Sequence, residues 1–243
     1  MNKEFIHRMG DVEDTNWWFI GKRILVAKQL EQLNCKTDLM VDIGAGTGSN
    51  ARDLSSYGKV IAMDISMSAL RYAADKGHSY LCCGDSVSLP FRDDVFDVVT
   101  ALDIVEHVTD DAGVLNELYR SLKPNGNLIV SVPAFQFMWG KHDELLNHKR
   151  RYKKLEIENK MKTAGFEIKF SSYSNMFIFF PVLLIRLLYK WFPKLEPQEP
   201  DTGSIPSSFN KILIYIYRLE VKMLKMMKLP VGLSVLLVGF KKV

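Results

Sequence analysis

Between residues 39 and 134, apolar runs of strand length alternate with helix-type patterns, and this alternation limits the fold more than any other feature. The runs are "LMVDIGAG" (39–46), "KVIAMDI" (59–65), "SYLCCGD" (79–85), "FDVVTALDIV" (96–105) and "GNLIVSVPA" (126–134). "NARDLSSY", "SMSALRYAADKG" and "DAGVLNELYRSLKPNG" lie between them, the last closing on Lys123-Pro124-Asn125-Gly126, a helix stop and turn signal. Strands that are apolar almost throughout are buried on both faces, and helices between them imply a mostly parallel sheet covered on both sides. A helix over 153–164, closed by Gly165, leads to a sixth strand at 166–173, and "GLSVLLVGFKK" (232–242) reads as a seventh. The connection between those last two strands is unusually long.

That connection holds two apolar blocks separated by the Pro- and Ser-rich "KLEPQEPDTGSIPSS", expected to be a mobile loop. The first block, "NMFIFFPVLLIRLLYKWFP" (175–193), contains Pro181 and Arg186 and is slightly short for a membrane-spanning helix. The second, "FNKILIYIYRLEVKMLKMMK" (209–228), reads as amphipathic. Lys211, Arg218, Lys222 and Lys225 fall on one face, and Ile212, Leu213, Ile216, Met223, Leu224 and Met227 on the other. The expected organisation is a helical N-terminal lid (1–38), an α/β core (39–173), a helical apolar insertion (174–230) and a final core strand (231–243).

The chain carries a net charge of +4, and it is unevenly placed. Residues 141–154 hold six Lys/Arg against two acids, and 205–243 hold seven against one. An anionic ligand or a membrane surface is expected to meet these places rather than the whole surface, unless both are simply solvated faces. Cys35, Cys82 and Cys83 show no metal-ligand spacing, and adjacent cysteines make a poor disulfide, so a reducing cytosolic setting is expected. The N-terminal residues are polar, with no signal-peptide core.

"VDIGAGTGSN" (41–50) is a glycine-rich turn after an apolar run. It departs from the dinucleotide fingerprint because the third glycine falls one residue early, with Ser49 in the expected place. Asp64 ends the next strand, where a carboxylate can accept from both ribose hydroxyls. Asp85 ends the third, where it can accept from an adenine amino group.

The set "VDIGAGTG", "AMDIS", "GDSVSLPF", "FDVVTALDIVEHV" and "LKPNGNLIVSVP" resembles the class I S-adenosylmethionine-dependent methyltransferases. The resemblance implies an α/β, Rossmann-like, seven-stranded mostly parallel sheet with an antiparallel last strand and helices on both faces. The helical insertion would lie between strands six and seven. It also implies S-adenosyl-L-methionine as cofactor, lying across the strand ends. Asp42, Gly44, Ala45, Gly46 and Gly48 would surround its methionine part. Asp64 and Ile65 would meet the ribose and its surroundings, Asp85 the adenine amine, Ser86 the ring edge, and Asp103 the region of the sulfonium. A zwitterionic amino acid must come close to the backbone there, which glycine permits.

Methyl transfer is an in-line displacement on an already activated carbon, so the protein must align a nucleophile and exclude water. A hydroxyl nucleophile also gains from a general base. "NWWFIGKR" (16–23) suggests a lid with Trp17, Trp18 and Phe19 as walls and Arg23 as an anion contact, or the cover of a hydrophobic edge. "VPAFQFMWGKHDELLNHKRRY" (132–152) follows the fifth strand, where ligands of open α/β sheets bind. His142, Asp143, His148, Arg150, Arg151 and Tyr152 read as too polar for a core. His142 or His148 is the expected base, and Arg150 with Arg151 the expected acceptor clamp, since the guanidinium fork suits phosphate. His107 is a further candidate base, although Glu106-His107 also suits a structural role. The spacing of these groups follows no metal-binding pattern, and no metal ion is expected.

These flanks resemble methyltransferases associated with surface-glycan and lipid-linked sugar assembly, which implies O-methylation of a sugar or lipid-linked glycan intermediate. An isoprenoid quinone precursor or a small natural product is the alternative acceptor. A non-catalytic S-adenosylmethionine-binding scaffold at the membrane is the alternative of another class. The insertion (175–228) is expected to make a peripheral membrane contact, with a homodimer interface or internal packing as the other uses. Nucleic acid is not an expected partner, because the fourth strand lacks an Asn/Asp-Pro-Pro-aromatic signature and the basic patches lack stacking platforms.

Overall fold

The computed structural model describes residues 3–35, 37–196 and 206–242. Most of the linker expected as a mobile loop lies outside these residues. The chain opens with α1 (Lys3–Val12) and α2 (Trp17–Leu33), then enters the alternation β1 (Leu39–Ile43), α3 (Ser49–Leu54), β2 (Lys59–Asp64), α4 (Met67–Asp75) and β3 (Leu81–Cys83). β4 (Phe96–Leu102), α5 (Asp111–Ser121), β5 (Leu122–Pro133), the short α6 (Lys141–Leu145), α7 (Lys154–Thr163) and β6 (Glu167–Ser174) follow. Two insertion helices, α8 (Met176–Trp191) and α9 (Ser207–Met223), precede β7 (Ser234–Phe240).

The seven strands form one sheet in the order β3-β2-β1-β4-β5-β7-β6. β1 to β5 pair in parallel, and β7 runs antiparallel to both β5 and β6. The fold is the expected one, and each apolar run became a strand because both of its faces are covered: Val41, Val98, Val99, Ile129 and Val130 are fully buried. Strand order reverses between β1 and β4, so the connections leave those two strands in opposite directions and open a crevice at their carboxyl ends.

Three expectations change. Lys123-Pro124-Asn125-Gly126 does stop α5, but it lies inside β5 as a bulge. Asn125 takes a left-handed φ of 65° and its amide donates to the Lys241 carbonyl at 2.8 Å, which keeps the strand paired through the kink. The N-terminal segment is a wall of the core rather than a separate lid, since Leu25, Val26 and Leu30 of α2 are buried in it. Gly21 makes that docking possible: a Cβ there would sit 2.2 Å from the ring of Tyr217 on α9.

The third change concerns α9, which has three faces rather than two. Leu213, Tyr217, Val221 and Leu224 recur at near-helical spacing and are buried against the core. Ile212 and Met227, expected beside them, are exposed, and Phe209, Tyr215 and Leu219 are exposed as well. The basic residues lie between these two faces. α9 also fixes α8: the Glu220 carboxylate accepts from the amides of Asn175, Met176 (2.7 Å) and Phe177 (3.4 Å), the free donors of a helix N-terminus. α8 itself buries only Phe179, in a small cluster with Met138 and Leu233 to which Trp18 and Phe135 add their edges.

Candidate active site

The glycine turn joins β1 to α3 at the mouth of the crevice. Gly44, Gly46 and Gly48 have φ of 74°, 56° and 89°, a region that side chains disfavour. The turn is folded back onto β2: the Gly44 and Ala45 amides donate to the Met63 carbonyl at 2.8 and 2.9 Å, and the Gly46 amide donates to Asp64 Oδ2 at 2.9 Å. A Cβ on Gly44 would press on Ile104 at 2.9 Å, whereas one on Gly46 would meet none of the described residues within 4 Å. Gly46 therefore faces open space, and an added methyl would enter it.

Carboxylates ring that space. Asp64 is almost buried, and its other oxygen accepts from the Ser66 amide at 2.7 Å, so each oxygen retains a lone pair for a hydroxyl donor. Ile65 beside it is 69% exposed, an apolar surface facing out of the strand end. Asp85 is exposed at the end of β3 in a tight turn, accepting from the Val87 amide at 3.1 Å, and Ser86 is tucked below it. Asp42 lies deeper. It accepts from Asn50 Nδ2 at 2.9 Å and from the Thr100 hydroxyl, and burial pushes its carboxyl up to about 6.

Asp103 follows β4 with a left-handed φ of 52°, held by its amide on the Ser131 carbonyl (2.8 Å) and by the Ser131 hydroxyl (3.2 Å). Its other oxygen forms an ion pair with Lys22 of α2. Sequence reasoning passed over Lys22, Asn50 and Thr100. Thr100 alone left a signal, as a polar residue inside the apolar run "VVTAL".

Residues 41–130 match the family model of a methyltransferase domain. An uncharacterized protein of Methanocaldococcus jannaschii is 32% identical over 178 residues, which cover 70% of this chain and 74% of that one. The chain belongs to the class I S-adenosylmethionine-dependent methyltransferases. A demethylmenaquinone methyltransferase of Streptomyces avermitilis is 36% identical over 94 residues, covering 37% of this chain. The match spans only 40% of the length of that relative. A chain in the Haloferax volcanii complex of the Trm112 methyltransferase activator with a methyltransferase shares the fold, at 18% identity and a TM-score of 0.64 over 99% of this chain and 95% of that one.

S-adenosyl-L-methionine fits the crevice of this methyltransferase. Gly46 would leave room for its methionine backbone, Asp64 would offer lone pairs to the ribose, and Ile65 with Asp85 would offer an apolar face and an acceptor to the adenine. The cofactor supplies a methyl group on a sulfonium; the chain supplies position, charge and exclusion of water.

The expected acceptor residues are arranged differently. Arg150 donates to Asp111 Oδ2 (3.0 Å) and to the Thr109 carbonyl (2.8 Å), and Arg151 to Asp143 Oδ1 (2.8 Å) and to the Ala134 carbonyl (3.2 Å). Arg23 ties α2 to α3, donating to Asp53 Oδ2 (2.7 Å) and to the Glu13 carbonyl (2.8 Å). Each of these guanidinium groups is thus tied to a carboxylate and a backbone carbonyl of the protein itself, with part of its donor set left over. Asp143 and Tyr152, read as too polar for the core, are fully buried. Burial is tolerated because their polar atoms are satisfied: Tyr152 donates to Asp111 Oδ2 at 2.8 Å, and Asp143 accepts from Gly140, His148 and Arg151.

Three histidines do converge. The His148 ring lies 4.6 Å from that of His107 and 6.4 Å from that of His142. Burial brings His107 and His142 down to about 4, which leaves them neutral but weakly basic at pH 7. His148 Nδ1 lies 2.8 Å from Asp143 Oδ1, a carboxylate–imidazole pair of the kind that orients a base. Beside them Glu106 is fully buried, with no side chain of the described residues donating to either carboxyl oxygen, and burial pushes its carboxyl up to about 8.

An aromatic wall links this region to α8. Trp17 and Trp18 meet edge to face at 5.5 Å, Trp17 leans on Tyr217, and Lys22 Nζ sits 4.9 Å over the Trp18 ring. Phe19 is half-buried on the same turn. Phe135, just past β5, adopts a φ of 59° that a bulky side chain rarely takes. In that conformation its ring stacks on Tyr173 at 4.8 Å and meets Phe179 of α8 at 5.7 Å. Neither Phe135 nor Phe179 stood out in the sequence, where both read as ordinary apolar filling.

Proposed function

We propose that this methyltransferase transfers its methyl group to a lipid-borne acceptor of the class to which prenylated quinone precursors belong, reached from the face that α8 turns to solvent. One observation carries the reading. α8 leaves Phe180, Leu184, Leu187, Leu188 and Trp191 between 47% and 79% exposed along one stripe, while Phe179 on its inner side meets the aromatic wall of the crevice. Such a contiguous apolar surface marks an interaction site. Exposed Lys190 and Lys194 flank its end in the chain, and exposed Lys211 and Lys222 stand on α9, the composition of an interfacial element meeting anionic lipid. Among the described residues no helix is long and apolar enough to cross a membrane, so the contact would be a peripheral one.

The internal pairing of Arg23, Arg150 and Arg151 weighs against a phosphorylated sugar as the acceptor. The Streptomyces avermitilis relative acts, by its name, on demethylmenaquinone, which supports a neutral apolar acceptor. Labelled S-adenosylmethionine supplied with vesicles containing a prenylated phenol is expected to send label into the lipid phase. Label appearing only on a water-soluble sugar phosphate would overturn the reading.

A further inference from the structure

The end of β4 and the loop after β5 bring together a set of donors that no sequence spacing announces. Glu106, His107 and His148 each present a ligand atom, and those atoms lie within 4.8 Å of one another. We infer that these three residues form a binding site for a divalent transition-metal ion, of the two-imidazole, one-carboxylate class that suits zinc.

Glu106 supplies the first reason. It is 0% exposed, and among the described residues no side chain donates a hydrogen bond to either of its carboxyl oxygens, an unusual state for so buried an acid. Lys22 and Arg151 lie close enough to act on it through space, but each makes its ion pair with another carboxylate, Asp103 and Asp143. A cation bound at Glu106 would satisfy what the protein leaves unsatisfied.

The second reason is the way the two imidazoles are held. Metal-binding histidines donate their remote ring N–H to a carboxylate or a backbone carbonyl, which fixes the tautomer and turns the other nitrogen toward the ion. His148 has this arrangement, with Nδ1 on Asp143 Oδ1 at 2.8 Å and Nε2 left over. His107 stands edge to face with the His148 ring, 4.6 Å between centroids. Asp143 is itself fixed by Arg151 and the Gly140 amide.

Zinc ligands at 2.0–2.1 Å from the ion stand roughly 3.3 Å apart, so atoms now up to 4.8 Å apart must draw together by up to about 1.5 Å, through small side-chain rotations within their rotamers. The open positions of such a three-ligand site remain for water or another donor. The ion would also tie the end of β4 to the loop after β5.

The test uses the untagged full chain, stripped with a chelator and dialysed against Zn²⁺, with metal content read by mass spectrometry and Co²⁺ as an optical probe. The expected result is one zinc per chain and at least tenfold weaker binding in both Glu106→Gln and His148→Ala. Calorimetric S-adenosylmethionine binding by the variants serves as the check that they fold, and Glu106→Gln is close to isosteric. No saturable zinc binding by the wild type would overturn the site. So would undiminished binding in both folded variants, or a thiolate charge-transfer band with Co²⁺, which would place the metal on the cysteines. Because the readout is metal content, it stands apart from the identity of the methyl acceptor.

Discussion

Lys22 of α2 and Asp103, the residue after β4, are joined in an ion pair across 81 positions of sequence, with the lysine much the more buried partner. Their side chains are 10% and 32% exposed, and this asymmetry predicts an order of effects. Asp103→Asn keeps a residue that accepts a positive φ but leaves a buried lysine unpaired, which is expected to cost about 3 kcal/mol. Lys22→Met leaves a carboxylate that reaches solvent, and is expected to cost about 1 kcal/mol. Urea unfolding without cofactor measures both; the reverse order would mean that the pair does not hold α2 on the sheet.

That pair also shows where sequence reading reaches its end. The strands were legible because double burial forces a continuous apolar run, and the glycine turn was legible because three left-handed residues in five demand glycine. Asp64 and Asp85 follow from their positions at strand ends. Partner assignments were not legible. "HKRRY" reads as a solvent-facing clamp until Asp111 and Asp143 are seen beneath it, and nothing local distinguishes an arginine awaiting phosphate from one already paired. The faces of α9 were misjudged for a related reason: Tyr217 is buried because Gly21, nearly two hundred residues away, makes room for it.

Asp42 gives a prediction with a definite sign. Its carboxyl titrates near 6 in the folded protein against 3.8 as its ordinary value, so the folded state holds a proton that the unfolded chain has released. The group lowers no stability below about pH 4. Its penalty grows as pH rises from 4 to 6 and reaches about 3 kcal/mol above that. Relative to the wild type, Asp42→Asn is therefore expected to gain about 3 kcal/mol between pH 4 and pH 8, starting at pH 4 from parity or from up to about 2 kcal/mol below it if a hydrogen bond is lost. Urea midpoints across this range test it, and a difference that does not change with pH would rule it out.

Gly46 separates folding from cofactor binding. An added methyl meets none of the described residues within 4 Å, so Gly46→Ala bears only the left-handed penalty, about 1–2 kcal/mol. The same methyl enters the space assigned to the methionine part of S-adenosylmethionine. The variant is expected to fold and to bind the cofactor at least tenfold more weakly by calorimetry. Affinity within twofold of the wild type would move the cofactor away from this turn.

The exposed stripe of α8 predicts a membrane effect without loss of the fold. Leu184 and Leu188 are 60% and 47% exposed, so replacing both with Asp gives up about half of each side chain's burial and should lower stability by about 1–2 kcal/mol, too little to unfold the protein. On a lipid surface the two leucines contribute apolar burial worth roughly 1.5 kcal/mol or more each, and two new acids add repulsion from anionic headgroups. Sedimentation with anionic vesicles is expected to show binding by the wild type and at least a hundredfold weaker binding by the double variant. Transfer to a detergent-dispersed acceptor should be largely kept, because the stripe lies outside the crevice. Equal sedimentation of both proteins would show that α8 covers something other than lipid.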